Sequence, residues 1–149
     1  MKQKKEKETL LSPEEYKKEL RFVELSKIEL ESCSAKLRRE KLQATQGPIK
    51  IDITAKTQWK IIDQGEAVFT EQFVLIGTRT TKRDYAIRIE CTLLITIKKS
   101  EGQFTKEFLD TYMRFNLNLI SWPYFREFVH NITHRMGIPP LILPFLKPS

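Results

Sequence analysis

The chain has 149 residues, of which 40% are hydrophobic and 30% are charged, and its formal net charge is +7. This length and composition predict one globular domain that buries a core without metals or disulfides, and they exclude an intrinsically disordered chain. No apolar run approaches the ~20 residues that span a bilayer, and no signal-peptide segment follows the charged N-terminus, so we expect a cytoplasmic protein without membrane insertion.

The amino-terminal segment divides into a basic tail and a helix start. Residues 1–10 are predicted to be disordered and residues 11–149 to form a single domain. Ser12 can cap a helix, Pro13 suits the first helical position, and Glu15 completes a capping box. A short helix is therefore predicted at the start of the domain.

Four strands are predicted in the middle of the chain. The first, over residues 25–37, alternates irregularly between apolar and polar residues. The second, over 49–61, and the fourth, over 85–98, alternate strictly, which is typical of strands with one buried face. The third, over 67–76, ends in the continuous apolar run 73–76. That run indicates burial on both faces, or a client or subunit on the second face.

Two helices are predicted in the last third, over residues 105–117 and 122–136, joined or kinked around Pro123. Apolar residues at i, i+3, i+4, i+7 and i+11 form one helical stripe from Phe125 to Met136. Strands grouped ahead of helices predict an α+β fold. We expect a four-stranded antiparallel sheet packed on one face by the long C-terminal helices, with a short N-terminal helix.

The sequence gives little support to an enzyme. It contains no GxxxxGK[ST], GxGxxG or GxSxG motif and no evident acid–base carboxylate pair. His130 and His134 share a helix face, but no third ligand stands at a zinc-like interval. Cys33 and Cys91 lie in predicted strands and are interpreted as buried free thiols, because a redox pair has no CxxC signature here. We expect neither catalysis nor a cofactor nor a metal.

Basic residues beside aromatic residues leave a binding alternative open. The pairs Trp59–Lys60 and Arg83–Tyr85 combine a ring for base stacking with a cation for phosphate. Most of these rings fall on predicted core faces, so core packing is favoured. The alternative function is a basic α+β module that binds RNA or single-stranded DNA.

Two C-terminal segments carry a family resemblance: SWPYFRE, from Ser121 to Glu127, and RMGIPPLIL, from Arg135 to Leu143. Both resemble segments near the end of SecB chaperones, at the same separation, and the four strands agree in order and length. The resemblance covers about residues 25–146. It implies a four-stranded antiparallel sheet backed by helices, a homo-oligomer built as a dimer of dimers, and an ATP-independent holdase for unfolded polypeptides.

Charge and an extra helix separate this chain from the SecB proteins that deliver clients to the SecA motor. Those proteins are acidic, whereas this chain carries +7 and an added helix at Ser12, which argues against a SecA handoff. Both traits are more similar to SecB-like chaperones of toxin–antitoxin systems, or to orphan SecB-like proteins. The expected partner is an unfolded preprotein or an antitoxin client, and an adaptor dedicated to one partner is a third possibility.

Apolar residues of the strands, the helices and the tail supply the candidate contacts that this resemblance implies. The candidate client contacts are Trp59, Phe69, Phe73, Leu75, Tyr85, Phe145 and Leu146. The candidate subunit contacts are Phe108, Tyr112, Phe115, Leu119, Trp122 and Phe125. Ordinary core packing is the competing interpretation for most of them.

Overall fold

A computed structural model describes residues 9–43, 48–79 and 82–144. Its elements in chain order are α1 (Pro13–Leu20), β1 (Val23–Leu37), α2 (Arg39–Gln43), β2 (Lys50–Asp63), β3 (Glu66–Thr78), a 3-10 turn (Lys82–Asp84), β4 (Ile87–Lys99), α3 (Lys106–Phe115) and α4 (Leu117–Arg135). The strands form one antiparallel sheet in the order β1-β4-β3-β2, so β1 and β2 are its edges. The predicted α+β fold is confirmed.

The central strands β3 and β4 hold the core against α3 and α4. Alternate residues of both strands are buried along most of their length, as the period of a half-buried strand requires. Phe73 of β3 stacks on Phe125 of α4 with ring centroids 4.5 Å apart, and Phe69 stacks on Tyr112 of α3 at 5.4 Å. We call the sheet face that meets these helices the inner face and the opposite one the outer face.

The apolar run of β3 divides between the two faces of the sheet. Phe73 and Leu75 point inward and are buried, whereas Val74 and Ile76 are half-buried on the outer face. Neighbouring side chains of β2 and β4 cover part of the outer pair, since Val74 lies between Thr54 and Glu90. The sheet itself therefore accounts for much of the two-sided apolar pattern.

The irregular alternation of β1 comes from two β-bulges. The pairing of β1 with β4 shifts by one residue between Leu25 and Lys27, and again between Leu30 and Ser32. Each shift inserts one extra residue into β1. At both points the apolar residues of β1 are three apart in the sequence, and the bulge returns them to the inner face.

The N-terminal helix forms as its sequence predicts. Ser12 Oγ accepts a hydrogen bond from the Glu15 amide, and the Glu15 carboxylate accepts one from the Ser12 amide, which completes the capping box. Tyr16 then packs on Phe108 with ring centroids 5.5 Å apart. This contact fixes α1 against α3.

The break between the two long helices lies earlier than predicted. α3 ends at Phe115 and α4 begins at Leu117, so the chain turns at Asn116, and Pro123 lies inside α4. Asn116 Oδ1 accepts a hydrogen bond from the Tyr16 hydroxyl. A short amide side chain that bonds outside its own helix favours a helix boundary, whereas the proline is accommodated within the first turns of α4.

Candidate functional site

Three of the candidate client contacts are core residues in the single chain. Phe69, Phe73 and Leu75 point from β3 toward the helices and are at most 2% exposed. Side chains without exposed surface cannot reach a client while α3 and α4 cover them. Phe145 and Leu146 lie outside the described residues.

The other two candidate client contacts, Trp59 and Tyr85, are half-buried and engaged by neighbours. Trp59 Nε1 donates a hydrogen bond to Asp110 Oδ1 at 2.8 Å. The Arg38 guanidinium lies over the Tyr85 ring, 4.0 Å from its centroid. Both rings keep partial exposure, and the guanidinium covers one face of the Tyr85 ring.

The candidate subunit contacts divide between core and surface. Three of them are buried within the chain: Phe108, Tyr112 and Phe125. Trp122 is half-buried, and its Nε1 donates to the Pro144 carbonyl oxygen at 2.9 Å. Phe115 and Leu119 are 52% and 60% exposed, so these two present apolar side chains on the surface of the chain.

An open groove lies between the inner face of β1 and α4, and we call it the β1 groove. Its volume is about 460 Å³. Its apolar lining comes from Ile28, Leu30, Cys91, Leu93, Tyr124, Phe128 and Ile132. Leu30 is 52% exposed and Tyr124 is 49% exposed, because α4 lies over the middle of the sheet and leaves the edge strand β1 uncovered. An apolar surface of this kind typically meets a ligand or another protein.

The exposure of β1 corrects one expectation about the cysteines. Cys91 of β4 is buried, as predicted, but Cys33 of β1 is exposed. Both lie on the inner face, and the difference arises because α4 covers β4 and does not reach this part of β1.

The rim of the β1 groove is polar and carries both signs of charge. Glu127, Asn131 and Arg135 line it from α4 at intervals of four residues. Arg135 Nε donates a hydrogen bond to Asn131 Oδ1 at 2.8 Å. The negative and positive charges thus lie about one helical turn to either side of Asn131. Such a rim is complementary to a second copy of itself turned about a two-fold axis near Asn131.

The other side of α4 is covered by the chain's own tail, residues 138–144. The Thr133 hydroxyl accepts a hydrogen bond from the Leu141 amide at 2.9 Å, and Arg126 Nε donates to the Leu143 carbonyl oxygen. Leu143 is buried, whereas Ile142 is 74% exposed. The apolar tail therefore packs on its own fold as far as residue 144, with Leu143 turned inward and Ile142 turned outward.

The second sheet edge, β2, exposes apolar residues near the turn into β3. Ile61 is 40% exposed and Ile62 is 53% exposed, and Trp59 lies just before them. We call these three residues the β2 edge surface. Trp59 and Ile61 lie on the inner face of the strand and Lys56 and Lys60 on the outer face, whereas Ile62 lies at the register shift between Ile61 and Asp63.

A buried carboxyl group lies beneath the start of α4. Glu71 of β3 is 1% exposed and accepts a hydrogen bond from Thr57 Oγ1 at 2.9 Å. Among the described residues, neither its other oxygen nor the nearby Ser121 hydroxyl has a hydrogen-bond partner. Burial raises the pKa of Glu71, an effect that the hydrogen bond from Thr57 partly offsets.

The described part of the chain contains no cluster of three or more His, Cys, Asp or Glu side chains that could hold a metal ion. His130 and His134 are exposed on α4. Within the same residues, no helix combines the length and the apolar character needed to cross a bilayer.

Comparison with known proteins identifies the fold. No protein-family model matches the sequence, and no curated protein matches it. Among solved structures, the chain is similar to the Mycobacterium tuberculosis SecB-like chaperone Rv1957, determined in complex with a ChAD peptide from the Rv1956 HigA1 antitoxin. The two share 16% identity with a TM-score of 0.71, over 91% of this chain and 99% of that one.

A second solved structure is more distant. It is a protein of unknown function from Streptococcus agalactiae, with 10% identity and a TM-score of 0.41, over 83% of this chain and 97% of that one. The similarity to the mycobacterial protein confirms the predicted likeness to SecB-like chaperones at the level of the fold. The chain has a SecB-like fold.

Proposed function

We propose that this protein is a SecB-like chaperone that binds non-native polypeptides and holds them without ATP or any chemical step. The observation that carries the proposal is the pair of unpaired sheet edges, each beside exposed apolar side chains, on a SecB-like fold. An extended client can add backbone hydrogen bonds to such an edge and place apolar side chains on the neighbouring surface. We place the protein in the cytoplasm.

The β2 edge surface is the proposed client site. Trp59, Ile61 and Ile62 supply apolar contact beside the open edge of β2. Lys56 and Lys60 lie on the same strand but on its outer face, so the proposed contact with the client is mainly apolar. Phe69, which pairs with Trp59 in the sheet, supports this surface from the core instead of contacting the client.

Further client contacts proposed from the sequence are Tyr85, Phe145 and Leu146. The client class that we favour is an antitoxin, with an unfolded preprotein as the alternative. The peptide bound to the mycobacterial chaperone comes from an antitoxin, which supports a polypeptide client of this kind. The net charge of +7 argues against delivery to SecA.

The β1 groove is the proposed site of self-association. A second copy would cover its apolar lining and place Glu127 of each copy near Arg135 of the other. Phe115 and Leu119, exposed on the helices, would then join two such pairs into a dimer of dimers. In this proposal self-association covers the β1 side of the sheet, and the β2 edge stays free for the client.

The first test is suppression of aggregation of a chemically unfolded, unrelated protein, without ATP, at low and at high salt. We expect near-stoichiometric suppression that is insensitive to salt, because apolar contacts are not screened. The Ile62→Asp variant should lose several-fold of this activity. The control variant Phe22→Asp, which alters an apolar side chain that is 39% exposed elsewhere on the surface, should retain it. Absence of suppression by folded wild-type protein would refute a general holdase.

The RNA or single-stranded DNA alternative has no support in the fold, since the two aromatic rings that suggested it make contacts within the protein. Trp59 bonds to Asp110, and Tyr85 is covered by Arg38. The same experiment separates the two functions, because phosphate binding weakens steeply as the salt concentration rises.

A further inference from the structure

The two cysteines of this chain meet across a strand pair, although 58 positions separate them in the sequence (91 minus 33). Cys33 of β1 and Cys91 of β4 are direct partners in the antiparallel register. Opposed residues of antiparallel strands have Cα atoms about 4.5 to 5.5 Å apart, and a disulfide spans Cα distances of about 4.4 to 6.8 Å. Both side chains leave the sheet on its inner face, so no strand has to move for the sulfur atoms to meet.

The second bulge of β1 creates this juxtaposition. The register shift between Leu30 and Ser32 is what brings Cys33 opposite Cys91. If the same sequence paired regularly from Leu30 onward, Cys33 would fall opposite Glu90 on the outer face, and the two sulfur atoms would lie on opposite sides of the sheet.

The two thiols differ in their accessibility to solvent, and stepwise oxidation requires one accessible thiol that reacts first. Cys33 is exposed and can meet a small oxidant, whereas Cys91 is 1% exposed beneath α4 and lines the β1 groove. Burial, with a smaller contribution from Cys33, raises the pKa of Cys91 to about 11, so Cys91 is the less reactive thiol of the pair toward an oxidant.

We propose that Cys33 and Cys91 form a reversible disulfide that locks β1 onto β4 when the protein meets a hydroperoxide. The Cys33 sulfur attacks one peroxide oxygen, the O–O bond breaks, and Cys33 becomes a sulfenic acid as the first water leaves. The Cys91 sulfur then attacks the sulfenic sulfur, and the hydroxyl group departs with the Cys91 proton as a second water. Two thiols lose two electrons and two protons in all, and hydrogen peroxide is reduced to two waters. A small thiol reverses the bond by exchange.

The disulfide would restrain β1, which is an edge strand of the sheet. Among the described residues β1 pairs only with β4, and most residues of β1 are exposed, so it is among the first elements expected to open locally. A covalent bond near its centre suppresses that opening. This inference applies to the protomer whose β1 groove is open, and it does not depend on client binding at the β2 edge surface.

The test uses the reduced full-length protein treated with hydrogen peroxide. We expect the intact mass to fall by two hydrogens, both free thiols to disappear, and peptide mapping to link the Cys33 peptide to the Cys91 peptide. Dithiothreitol should restore both thiols. Amide hydrogen exchange in β1 should slow by roughly tenfold or more in the oxidised protein, because the bond prevents strand opening.

Single variants separate the steps. Cys91→Ser should accumulate a Cys33 sulfenic acid that dimedone traps, and Cys33→Ser should react far more slowly because its remaining thiol is buried. The pairing is refuted if native wild-type protein ends with Cys33 as a sulfinic acid, or in a bond between two molecules, while Cys91 stays a thiol. Unchanged exchange in β1 after the bond has formed would refute the lock.

Discussion

The carboxyl group of Glu71 destabilises the folded chain when it is charged. It is buried, and one of its oxygens makes no hydrogen bond. Because burial raises the pKa of Glu71, the folded state binds the proton more tightly than the unfolded state does. The stability associated with this proton is present below the usual carboxyl pKa and is lost as the pH rises through the folded value. Glu71→Gln should therefore stabilise the protein by about 1 kcal/mol at neutral pH, a gain that vanishes in acid.

Glu90 provides the matched control, because its pKa is shifted in the opposite direction from that of Glu71. The Arg88 guanidinium donates to both Glu90 oxygens, at 2.8 and 2.9 Å, and lowers the pKa of that carboxyl. The stability that this ion pair contributes is present above the usual carboxyl pKa. It is lost as the pH falls through the pKa of Glu90 in the folded state. The pair is partly exposed, so Glu90→Gln should cost less than about 1 kcal/mol at neutral pH. Urea unfolding across the acid-to-neutral range tests both variants, and identical pH trends would contradict the buried-charge account.

At the scale of elements, the second bulge of β1 sets which side chains reach the inner face. Glu31 lies between Leu30 and Ser32, where the register shifts. Deleting Ser34, in the regularly paired stretch after this bulge, should turn Ala35 and Leu37 to the outer face, or unpair this half of β1, and lower stability by about 2 kcal/mol. Deleting Glu31 removes only the extra residue and leaves Ala35 and Leu37 opposite their present partners, so it should cost much less. Denaturant unfolding of the two deletion variants compares them, and equal stabilities would show that the face taken by Ala35 and Leu37 does not matter.

Elements with strong local signals could be predicted from the sequence, and those that depend on a distant partner could not. The helix cap at Ser12 depends only on neighbouring residues, and so does the alternation of buried and exposed residues in β4. The bulges of β1 exist only relative to β4, so the sequence shows them merely as an irregular pattern. The helix break fell at Asn116 instead of Pro123 because Asn116 bonds to Tyr16, 100 residues away.

The candidate site was less predictable for the same reason. The β1 groove brings Leu30 together with Phe128, which no local pattern connects. Large aromatic residues marked as contacts, such as Phe69 and Phe125, were equally consistent with core packing, and the structure buries both. The exposure of Phe115 and Ile62 becomes clear only once the positions of the helices on the sheet are known.

At the scale of the whole molecule, the rim of the β1 groove predicts a charge-swap result. If two copies meet about a two-fold axis near Asn131, Glu127→Arg or Arg135→Glu alone sets like charges against each other, and each should weaken the dimer by about tenfold or more. The double variant restores opposite charges and should recover most of the association. Analytical ultracentrifugation measures the three variants against wild type. A monomeric wild type, or a double variant as weak as the single ones, would contradict this interface.

The two unlike edges of the sheet also determine where growth of an assembly ends. Joining β1 to β1 consumes both edges of that kind and leaves only β2 edges outside, so the structure closes after two copies. Joining β1 to β2 would leave one edge of each kind free and would propagate into a fibre. The lysines at positions 50, 56 and 60 of β2 discourage strand-to-strand stacking on that edge. These lysines would thus protect the β2 edge, the proposed client site, from polymerisation of the protein through it.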